Sequence, residues 1–160
     1  MNDLLKNEPV KRVERALNLF NRNIKIQVLE NTAKTASDAS KSLKCEIGAI
    51  VKSLVLRKDN TFFLCLISGD KRCSLNKLKK INDVKDLSMA NAIKVKEITG
   101  FTIGGVSPIG SINTLETFID QNLKRFKNLY AAAGHPNTIF RINFNDLQNL
   151  TTGKIMDITE

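Results

Sequence analysis

The segment from residue 49 to residue 67 constrains the fold more than any other part of the sequence. Two apolar runs, residues 49–56 and 61–67, are separated only by the polar tetrapeptide Arg57-Lys58-Asp59-Asn60. Runs of this length that are rich in β-branched and aromatic side chains are typical of strands, and so short a connection joins antiparallel neighbours. The sequence therefore predicts a buried β-hairpin near the middle of the chain.

Helices and further strands are predicted on both sides of this hairpin. Val10, Val13, Leu17 and Phe20 recur at helical spacing and predict a first amphipathic helix. Other predicted helices lie near residues 35–44, 75–81, 92–99 and 145–150, and other predicted strands at residues 25–30, 115–119, 128–132, 138–142 and 154–158. Thr35 followed by Asp38 resembles a capping box that opens the helix at 35–44, and Asn91 can cap the helix at 92–99, which Gly100 would end. Strands mixed with short helices predict an α+β fold around a mainly antiparallel sheet.

The size and composition of the chain favour one soluble domain. A chain of 160 residues can bury its own core, and we find no internal repeat or linker, so we expect a single domain over residues 1–160. No apolar run approaches the ~20 residues of a membrane span. The first nine residues carry two acids and no apolar core of a signal peptide. We therefore expect a cytoplasmic protein without a membrane partner.

The net charge of +9 is compatible with a polyanionic partner such as nucleic acid. A solvated lysine-rich surface is the alternative, because lysine accounts for 18 of the 25 basic residues. Proteins that read DNA grooves depend on arginine for bidentate contacts, so we expect no DNA partner. The charge thus permits a tRNA substrate without indicating one by itself.

Cys45, Cys65 and Cys73 do not form a recognisable disulfide or zinc pattern, because their number is odd and no C-x-x-C spacing occurs. Cys65 lies inside the second apolar run and is interpreted as a small buried hydrophobic residue. A catalytic cysteine paired with His135, the only histidine, is the alternative. We expect neither a metal ion nor a cofactor.

Lys52 is a charged residue in a run that is otherwise mostly apolar. On a strand it shares a face with Ile50, Leu54 and Leu56, whereas Ser53 lies on the other face. An ammonium group that points inward needs a partner or a ligand. In a pocket it could hold a phosphate or a carbonyl oxygen, or stabilise a developing oxyanion. The alternative is a lysine whose ammonium reaches solvent from the end of the strand.

Residues 104–110, Gly-Gly-Val-Ser-Pro-Ile-Gly, form a loop with three glycines and one proline. This composition indicates an irregular backbone whose N–H groups can approach a ligand closely. The loop lacks the G-K-[ST] of a Walker motif and the G-x-G-x-x-G of a dinucleotide site. A plain tight turn is the alternative interpretation.

Residues 131–136 combine three alanines with Gly134, His135 and Pro136. Small residues at the end of a strand suit a pocket wall that lets substrate approach the backbone. His135 is a candidate proton carrier or hydrogen-bond donor. The alternative is a loop histidine that precedes a turn proline.

The tripeptide Ser68-Gly69-Asp70 follows the second strand of the hairpin. It predicts a turn in which Asp70 bonds nearby backbone groups. A catalytic carboxylate is the weaker interpretation, because no second acid lies at a telling spacing.

Five motifs follow one another in a distinctive order. They are Thr-Ala-x-Asp-Ala at 35–39, Ile-Val-Lys-Ser-Leu at 50–54, Ser-Gly-Asp at 68–70, Thr-Gly-Phe-x-Ile-Gly-Gly-Val-x-Pro at 99–108, and Ala-Gly at 133–134. This succession resembles the YbaK/prolyl-tRNA-synthetase-associated domain family. The resemblance covers nearly the whole chain, and the motif at 99–108 is its most specific part.

The resemblance implies a curved, mainly antiparallel mixed sheet flanked by short helices. It also implies an enzyme that hydrolyses the ester of mischarged aminoacyl-tRNA. Lys52 matches the family's essential lysine, which would orient the tRNA end or the ester rather than act as a nucleophile. Water would be activated largely by the terminal hydroxyl of the substrate and by positioned backbone groups.

The same resemblance implies a set of substrate-binding residues. The loop that starts at Gly104 matches the family's G-x-x-x-P loop beside the aminoacyl-adenosine, and Gly134 matches the glycine of the opposite wall. The expected substrate-binding residues are Ser53, Gly104, Gly105, Val106, Pro108, Gly134 and His135.

Two positions depart from the branch that removes cysteine from the proline tRNA. Ser53 stands where that branch tends to have threonine, and Ala133 stands where serine usually precedes the glycine. A histidine in the wall, such as His135, occurs in related branches that accept alanine, serine or threonine. Apolar pockets separate side chains that differ by one methylene by only ~1–3 kcal/mol. The amino acid is therefore left open among alanine, serine, threonine and cysteine, on tRNA(Pro) or a related tRNA.

The leading hypothesis is a free-standing trans-editing deacylase whose partners are the 3′ end of mischarged tRNA and an aminoacyl-tRNA synthetase. The alternative is a non-catalytic module of the same fold that grips the aminoacyl or nucleotide end as an accessory to a synthetase. A general RNA-binding protein is disfavoured, because the chain has one tyrosine, no tryptophan and no strand with an RNP-like aromatic pattern.

Overall fold

Helices and strands alternate irregularly along the computed structural model, which describes residues 2–160. Its strands are β1 (Ile26–Val28), β2 (Val51–Lys58), β3 (Thr61–Ser68), β4 (Leu87–Met89), β5 (Glu116–Asp120), β6 (Leu129–Ala132), β7 (Thr138–Ile142) and β8 (Lys154–Met156). Its α-helices are α1 (Glu8–Phe20), α2 (Ala36–Leu43), α3 (Leu75–Asn82), α4 (Ala92–Thr99) and α5 (Phe144–Thr151). Short 3₁₀ helices cover Asn2–Lys6, Ile47–Ala49 and Gln121–Arg125. The α+β class is confirmed, and each predicted helix and strand is present with bounds that differ by a few residues.

The strands divide into two sheets. β1, β7 and β6 form a three-stranded antiparallel sheet in that order. The predicted hairpin of β2 and β3 lies in a five-stranded sheet of order β4-β2-β3-β5-β8, in which β5 pairs parallel with both β3 and β8. The mixed, mainly antiparallel pairing is confirmed. An isolated bridge between Ile50 and Tyr130 connects the two sheets.

Side-chain caps in the sequence fix where the short helices begin. The Thr35 hydroxyl accepts a hydrogen bond from the backbone N–H of Asp38 at 3.0 Å, which confirms the predicted cap of α2. Asn91 caps α4 in the same way at 2.8 Å, and Gly100 ends that helix with φ +78°. Both helices contribute residues to the cavity that is described below.

The core lies on both faces of the five-stranded sheet. On one face, Val51 and Val55 of β2 pack with buried side chains of α1, β6 and β7. On the other face, Leu56 packs with Phe63 of β3 and Leu78 of α3. Alternate residues of β2 thus serve opposite faces, as a strand requires.

Two further expectations concern the cysteines and the hydrophobicity of the helices. Cys65 is fully buried, which confirms its reading as a hydrophobic core residue. The three cysteines are free thiols. Across the described part of the chain, no helix has both the length and the apolar character needed to cross a bilayer.

Candidate active site

Ile50, the residue before β2, forms a bridge with Tyr130 of β6, and within the described residues β2 itself does not pair with β6. On the same side of β2, strand β4 pairs only with the last three residues of the strand, from Leu56 to Lys58. Within residues 2–160, no strand pairs with the stretch of β2 between these two contacts. β2 therefore has an open edge around Ser53.

A cavity of about 350 Å³ fills the space beside this open edge. The volume lies in the range of small-molecule sites, about 300–1,000 Å³. The lining comes from the start of α2, from β2, from the end of β4, from α4, from the loop before residue 107 and from β6 and β7. Most of the lining side chains are small or aliphatic: Ala33, Ala36, Ala39, Ile50, Val51, Leu54, Val55, Val95, Val106, Ala132 and Ile139. The cavity thus offers an apolar wall with few polar groups.

Ser53 supplies polar groups at the open edge. Its Oγ is buried and has no hydrogen-bond partner among the described residues. The backbone N–H of Ala90 donates to the carbonyl of Val55 at 3.0 Å on the β4 side. Because alternate residues of a strand direct their backbone groups to the same side, the N–H and C=O of Ser53 also face the open edge. A ligand in the cavity can therefore hydrogen-bond to the main chain as an added strand would.

Lys52 lies between the cavity and the turn that follows β3. Its ammonium donates a hydrogen bond to the carbonyl of Lys71 at 2.6 Å. The side chain is half-buried, and this burial lowers the pKa of Lys52, while the negative charge of Asp70 opposes the shift. Lys52 also contributes to the lining of the cavity. The ammonium thus has a backbone partner, which the inward-pointing interpretation requires.

The glycine loop closes one side of the cavity. Gly104 has φ +93°, and a Cβ there would lie 2.6 Å from Cγ of Lys34, so the aliphatic part of Lys34 crosses directly over this glycine. Gly104 and Val106 belong to the lining, whereas Gly105 and Pro108 do not. A Cβ on Gly105 would lie 3.0 Å from the backbone N of His135, so the two loops pack backbone against backbone.

Gly134 and His135 lie behind this loop rather than in the lining. Gly134 has φ +103°, and a Cβ there would lie 2.9 Å from the carbonyl oxygen of Pro9 at the start of α1. The Nδ1 of His135 accepts a hydrogen bond from the backbone N–H of Asn137 at 3.0 Å. This bond leaves Nε2 as the ring nitrogen that is free to donate. The structure thus brings Lys52, Ser53, Gly104 and Val106 to one cavity, and places Gly105, Pro108, Gly134 and His135 around its glycine loop.

Several lining residues were not identified from the sequence. Ala33 and Lys34 precede α2, and the motif that starts at Thr35 was interpreted only as a helix cap and as part of the resemblance. Met89 and Ala90 follow β4, a three-residue strand with too few residues to show an alternating pattern. The motif at 35–39 could have directed attention to the neighbouring Ala33 and Lys34. No sequence pattern identifies Met89 and Ala90 as site residues.

Comparison with known proteins identifies similar sequences along most of the chain. Residues 30–150 match the model of a family described as "Aminoacyl-tRNA editing domain". The protein YwhH of Bacillus subtilis is 26% identical over 147 residues, which cover 91% of this chain and 93% of YwhH. A candidate Cys-tRNA(Pro)/Cys-tRNA(Cys) deacylase of Enterococcus faecalis, EbsC, is 27% identical over 126 residues, which cover 78% of this chain and 77% of EbsC.

Similarity extends to a part of larger enzymes and to solved structures. The proline--tRNA ligase of Caldicellulosiruptor saccharolyticus is 27% identical over 132 residues, which are 82% of this chain but 22% of the ligase. The chain therefore spans about a fifth of the length of that relative. The crystal structure of a candidate trans-editing enzyme for prolyl tRNA synthetase superposes with a TM-score of 0.90 at 33% identity, covering 96% of this chain and 98% of the other.

Proposed function

Because the chain belongs to the aminoacyl-tRNA editing domain family, we propose that it is a free-standing trans-editing deacylase. It hydrolyses the ester bond that joins a small amino acid to the 3′ end of a mischarged tRNA. The observation that carries this proposal is the cavity at the open edge of β2, which has Lys52 and Ser53 in its lining. EbsC, which is named as a candidate deacylase and matches this chain over 77% of its own length, supports a deacylase that is separate from a synthetase.

The chemistry of the ester defines what the cavity must supply. Water attacks the carbonyl carbon, negative charge develops on the carbonyl oxygen, and the ribose hydroxyl leaves with a proton. The backbone N–H of Ser53, which faces the open edge, is a donor for that oxygen, as in other sites that stabilise an oxyanion with backbone groups. The terminal hydroxyl of the substrate and other positioned backbone groups activate the water in this proposal.

Lys52 orients the substrate rather than attacking it. Among residues 2–160 its ammonium makes a single hydrogen bond, to the Lys71 carbonyl, and an ammonium has three donors. The remaining donors can bind the ester or a phosphate of the tRNA end. This cation at the margin of an apolar cavity is the group that binds the charged part of the substrate.

The remaining predicted residues act through the shape of the cavity in this proposal. Gly104 and Val106 contact the aminoacyl-adenosine directly. Gly105 and Pro108 hold the loop, and Gly134 and His135 support it from behind, where Gly105 packs against the His135 backbone. The Nε2 of His135 is the donor available to a substrate that reaches past the loop.

Small side chains in the lining suit a small amino acid. Ala36, Ala39 and Ala132 leave room for alanine, serine, threonine or cysteine and provide no counter-charge for an ionised side chain. We propose tRNA(Pro) or a related tRNA as the carrier and a synthetase as partner. The support is that EbsC is named as a candidate for Cys-tRNA(Pro) and Cys-tRNA(Cys), and that a proline--tRNA ligase contains a similar segment.

The test is release of amino acid from a panel of mischarged tRNAs by the wild type, Lys52→Ala and Lys58→Ala. Lys58 is the matched control, because it lies on the same strand, at the end where β2 pairs with both β3 and β4 (the closed end). Its ammonium is bound by the carboxylate of Glu116, with an N–O distance of 2.9 Å. We expect Lys52→Ala to reduce turnover about 100-fold or more, the scale for loss of one transition-state donor. Lys58→Ala should retain turnover.

Two results would overturn the proposal. One is the absence of hydrolysis for every pair in the panel, and the other is equal activity of the wild type and Lys52→Ala. Salt-dependent tRNA binding without turnover would instead identify a non-catalytic module that grips the aminoacyl end.

A further inference from the structure

A single arginine ties down the turn that receives the ammonium of Lys52. Arg125, the last residue of the 3₁₀ helix Gln121–Arg125, donates to both carboxylate oxygens of Asp70 at 2.7 and 3.0 Å. The same guanidinium donates to the hydroxyl of Ser68 at 2.9 Å. That hydroxyl in turn donates to the carbonyl of Gly48. Three hydrogen bonds from Arg125 therefore hold both ends of the tripeptide that precedes Lys71.

Close packing leaves this turn little freedom. The guanidinium carbon of Arg125 lies 4.8 Å from the centre of the Phe126 ring. A Cβ on Gly48 would lie 2.6 Å from Cζ of Phe126 and 2.9 Å from a carboxylate oxygen of Asp70. A Cβ on Gly69 would overlap the carbonyl of Ile47. The turn is thus enclosed between the segment before β2 and the residues that follow β5.

We propose that Arg125 and Asp70 are positioning residues for Lys52. Their ion pair fixes the turn whose Lys71 carbonyl holds the Lys52 ammonium beside the cavity. Groups that orient a functional side chain need support of this kind, because small displacements of that side chain weaken its contacts with substrate. The consequence for hydrolysis rests on the proposed function, whereas the placement of the ammonium does not.

The charged groups around Lys52 influence its pKa, so the placement of the ammonium can be tested by measuring that pKa. The groups that face its ammonium are Asp70, Arg72 and Cys73, all from the segment after β3, and Arg125 lies behind Asp70. Burial lowers the pKa of Lys52, Asp70 raises it, and Arg72 lowers it. Arg125 holds the pKa of Asp70 below its ordinary value, so Asp70 stays ionised wherever Lys52 titrates. Removal of the Asp70 charge must therefore lower the pKa of Lys52 further.

The chain contains a matched control for this ion pair. Arg57 donates to both carboxylate oxygens of Asp86 at 2.8 and 2.9 Å, at the closed end of the same strand. The two arginines are similarly exposed, at 32% for Arg57 and 38% for Arg125. The control pair thus repeats the bidentate geometry without the contact to the turn at Lys71.

The experiment measures the pKa of the Lys52 ammonium by NMR in the full chain with ¹³C/¹⁵N-labelled lysine, assigned with Lys52→Arg. We expect Asp70→Asn to lower this pKa and Asp86→Asn to leave it unchanged. In the deacylation assay, Arg125→Lys should reduce kcat about tenfold with little change in KM, whereas Arg57→Lys should have no effect, since lysine keeps the charge but loses the bidentate bonds.

Each arm decides the proposal independently of the others. If the Lys52 pKa is the same in Asp70→Asn, Asp86→Asn and the wild type, or if Arg125→Lys turns over like Arg57→Lys, Arg125 and Asp70 do not position Lys52. Should Asp70→Asn not fold, the pKa of Lys52 in Arg125→Lys, compared with that in Arg57→Lys, replaces it and must shift. If the wild type hydrolyses nothing, the proposed function fails while the NMR titration still decides the placement.

Discussion

The two ends of β2 share a strand and an apolar pattern but differ in their neighbours. At the C-terminal end, residues 56–58 pair with both β3 and β4. At the N-terminal end, β3 lies on one side and the cavity on the other. Because a strand pairs through its backbone, the end without a second partner strand keeps N–H and C=O groups available for a ligand. The binding capacity of β2 therefore arises where its pairing stops.

The lysines at the two ends show the same difference in their side chains. Lys58 is bound by the carboxylate of Glu116 at 2.9 Å and by the side-chain oxygen of Asn82 at 2.8 Å. In the described part of the chain, Lys52 is bound by one backbone carbonyl, which carries no net charge to neutralise it. A lysine that is paired with a carboxylate stabilises the fold. A lysine beside a cavity without such a partner can bind an anionic or polar ligand.

The largest expected effect concerns two leucines on the same face of β2. Leu56 is fully buried at the closed end, whereas Leu54 is half-buried and lines the cavity. Leu56→Ala should lower the free energy of unfolding by about 2–5 kcal/mol, since it creates a void in a packed region. Leu54→Ala should cost less than half as much. Urea denaturation measures both, and equal losses would contradict the contrast between the two ends.

A larger side chain in the gap between β2 and β6 should separate activity from stability. Ala132 lines the cavity near the end of β6 and is half-buried. Ala132→Leu should place its side chain in the cavity and reduce kcat/KM for aminoacyl-tRNA about tenfold, a change of about 1.4 kcal/mol. Thermal unfolding should remain close to that of the wild type. Full activity of this variant would mean that the substrate does not enter the gap.

Removal of the Ser53 hydroxyl should weaken substrate binding without weakening the fold. Because its Oγ is buried without a partner, Ser53→Ala should leave stability unchanged or raise it by up to about 1 kcal/mol. Loss of a hydroxyl that binds substrate should raise KM in the same variant. A clear loss of stability measured by urea denaturation would show that the hydroxyl already has a partner in the folded protein.

The smallest expected effect is on the pH dependence of stability. Burial lowers the pKa of Lys52 below its ordinary value of 10.5, so between the two values the unfolded chain binds more protons than the folded chain. Stability from this residue therefore rises as the pH increases through that window. Lys52→Met lacks this contribution and should show a flatter dependence just below pH 10.5. A titration of the unfolding free energy with pH, identical in both proteins, would contradict the burial of the ammonium.

Local patterns were sufficient to predict most elements of the fold. The hairpin followed from two apolar runs around Asp59 and Asn60, and the cap of α2 followed from Thr35. Parallel pairing of β5 with β3 and β8 could not be predicted, because nothing in a short apolar strand identifies a partner that is distant in sequence. β4 was missed because three residues show no alternation.

The candidate site was predicted in part. The position of Lys52 in an apolar run indicated a candidate site residue. Only the fold shows that its ammonium reaches the turn after β3. Asp70 was interpreted as a turn residue bonded to nearby backbone, whereas its carboxylate binds Arg125, 55 residues away. The open edge at Ser53 depends on which strands pair with β2, which no single segment specifies.

The sequence by itself determined the hairpin, the helix caps, the buried cysteine and the unusual position of Lys52, because each depends on residues that are near one another along the chain. Only the tertiary structure decided that β6 meets the chain at Ile50 without pairing with β2, that the resulting gap becomes a cavity, and that Arg125 secures the turn beneath Lys52. These features join segments far apart in sequence. They depend on how the two sheets pack against each other, and no short stretch of the sequence specifies that packing.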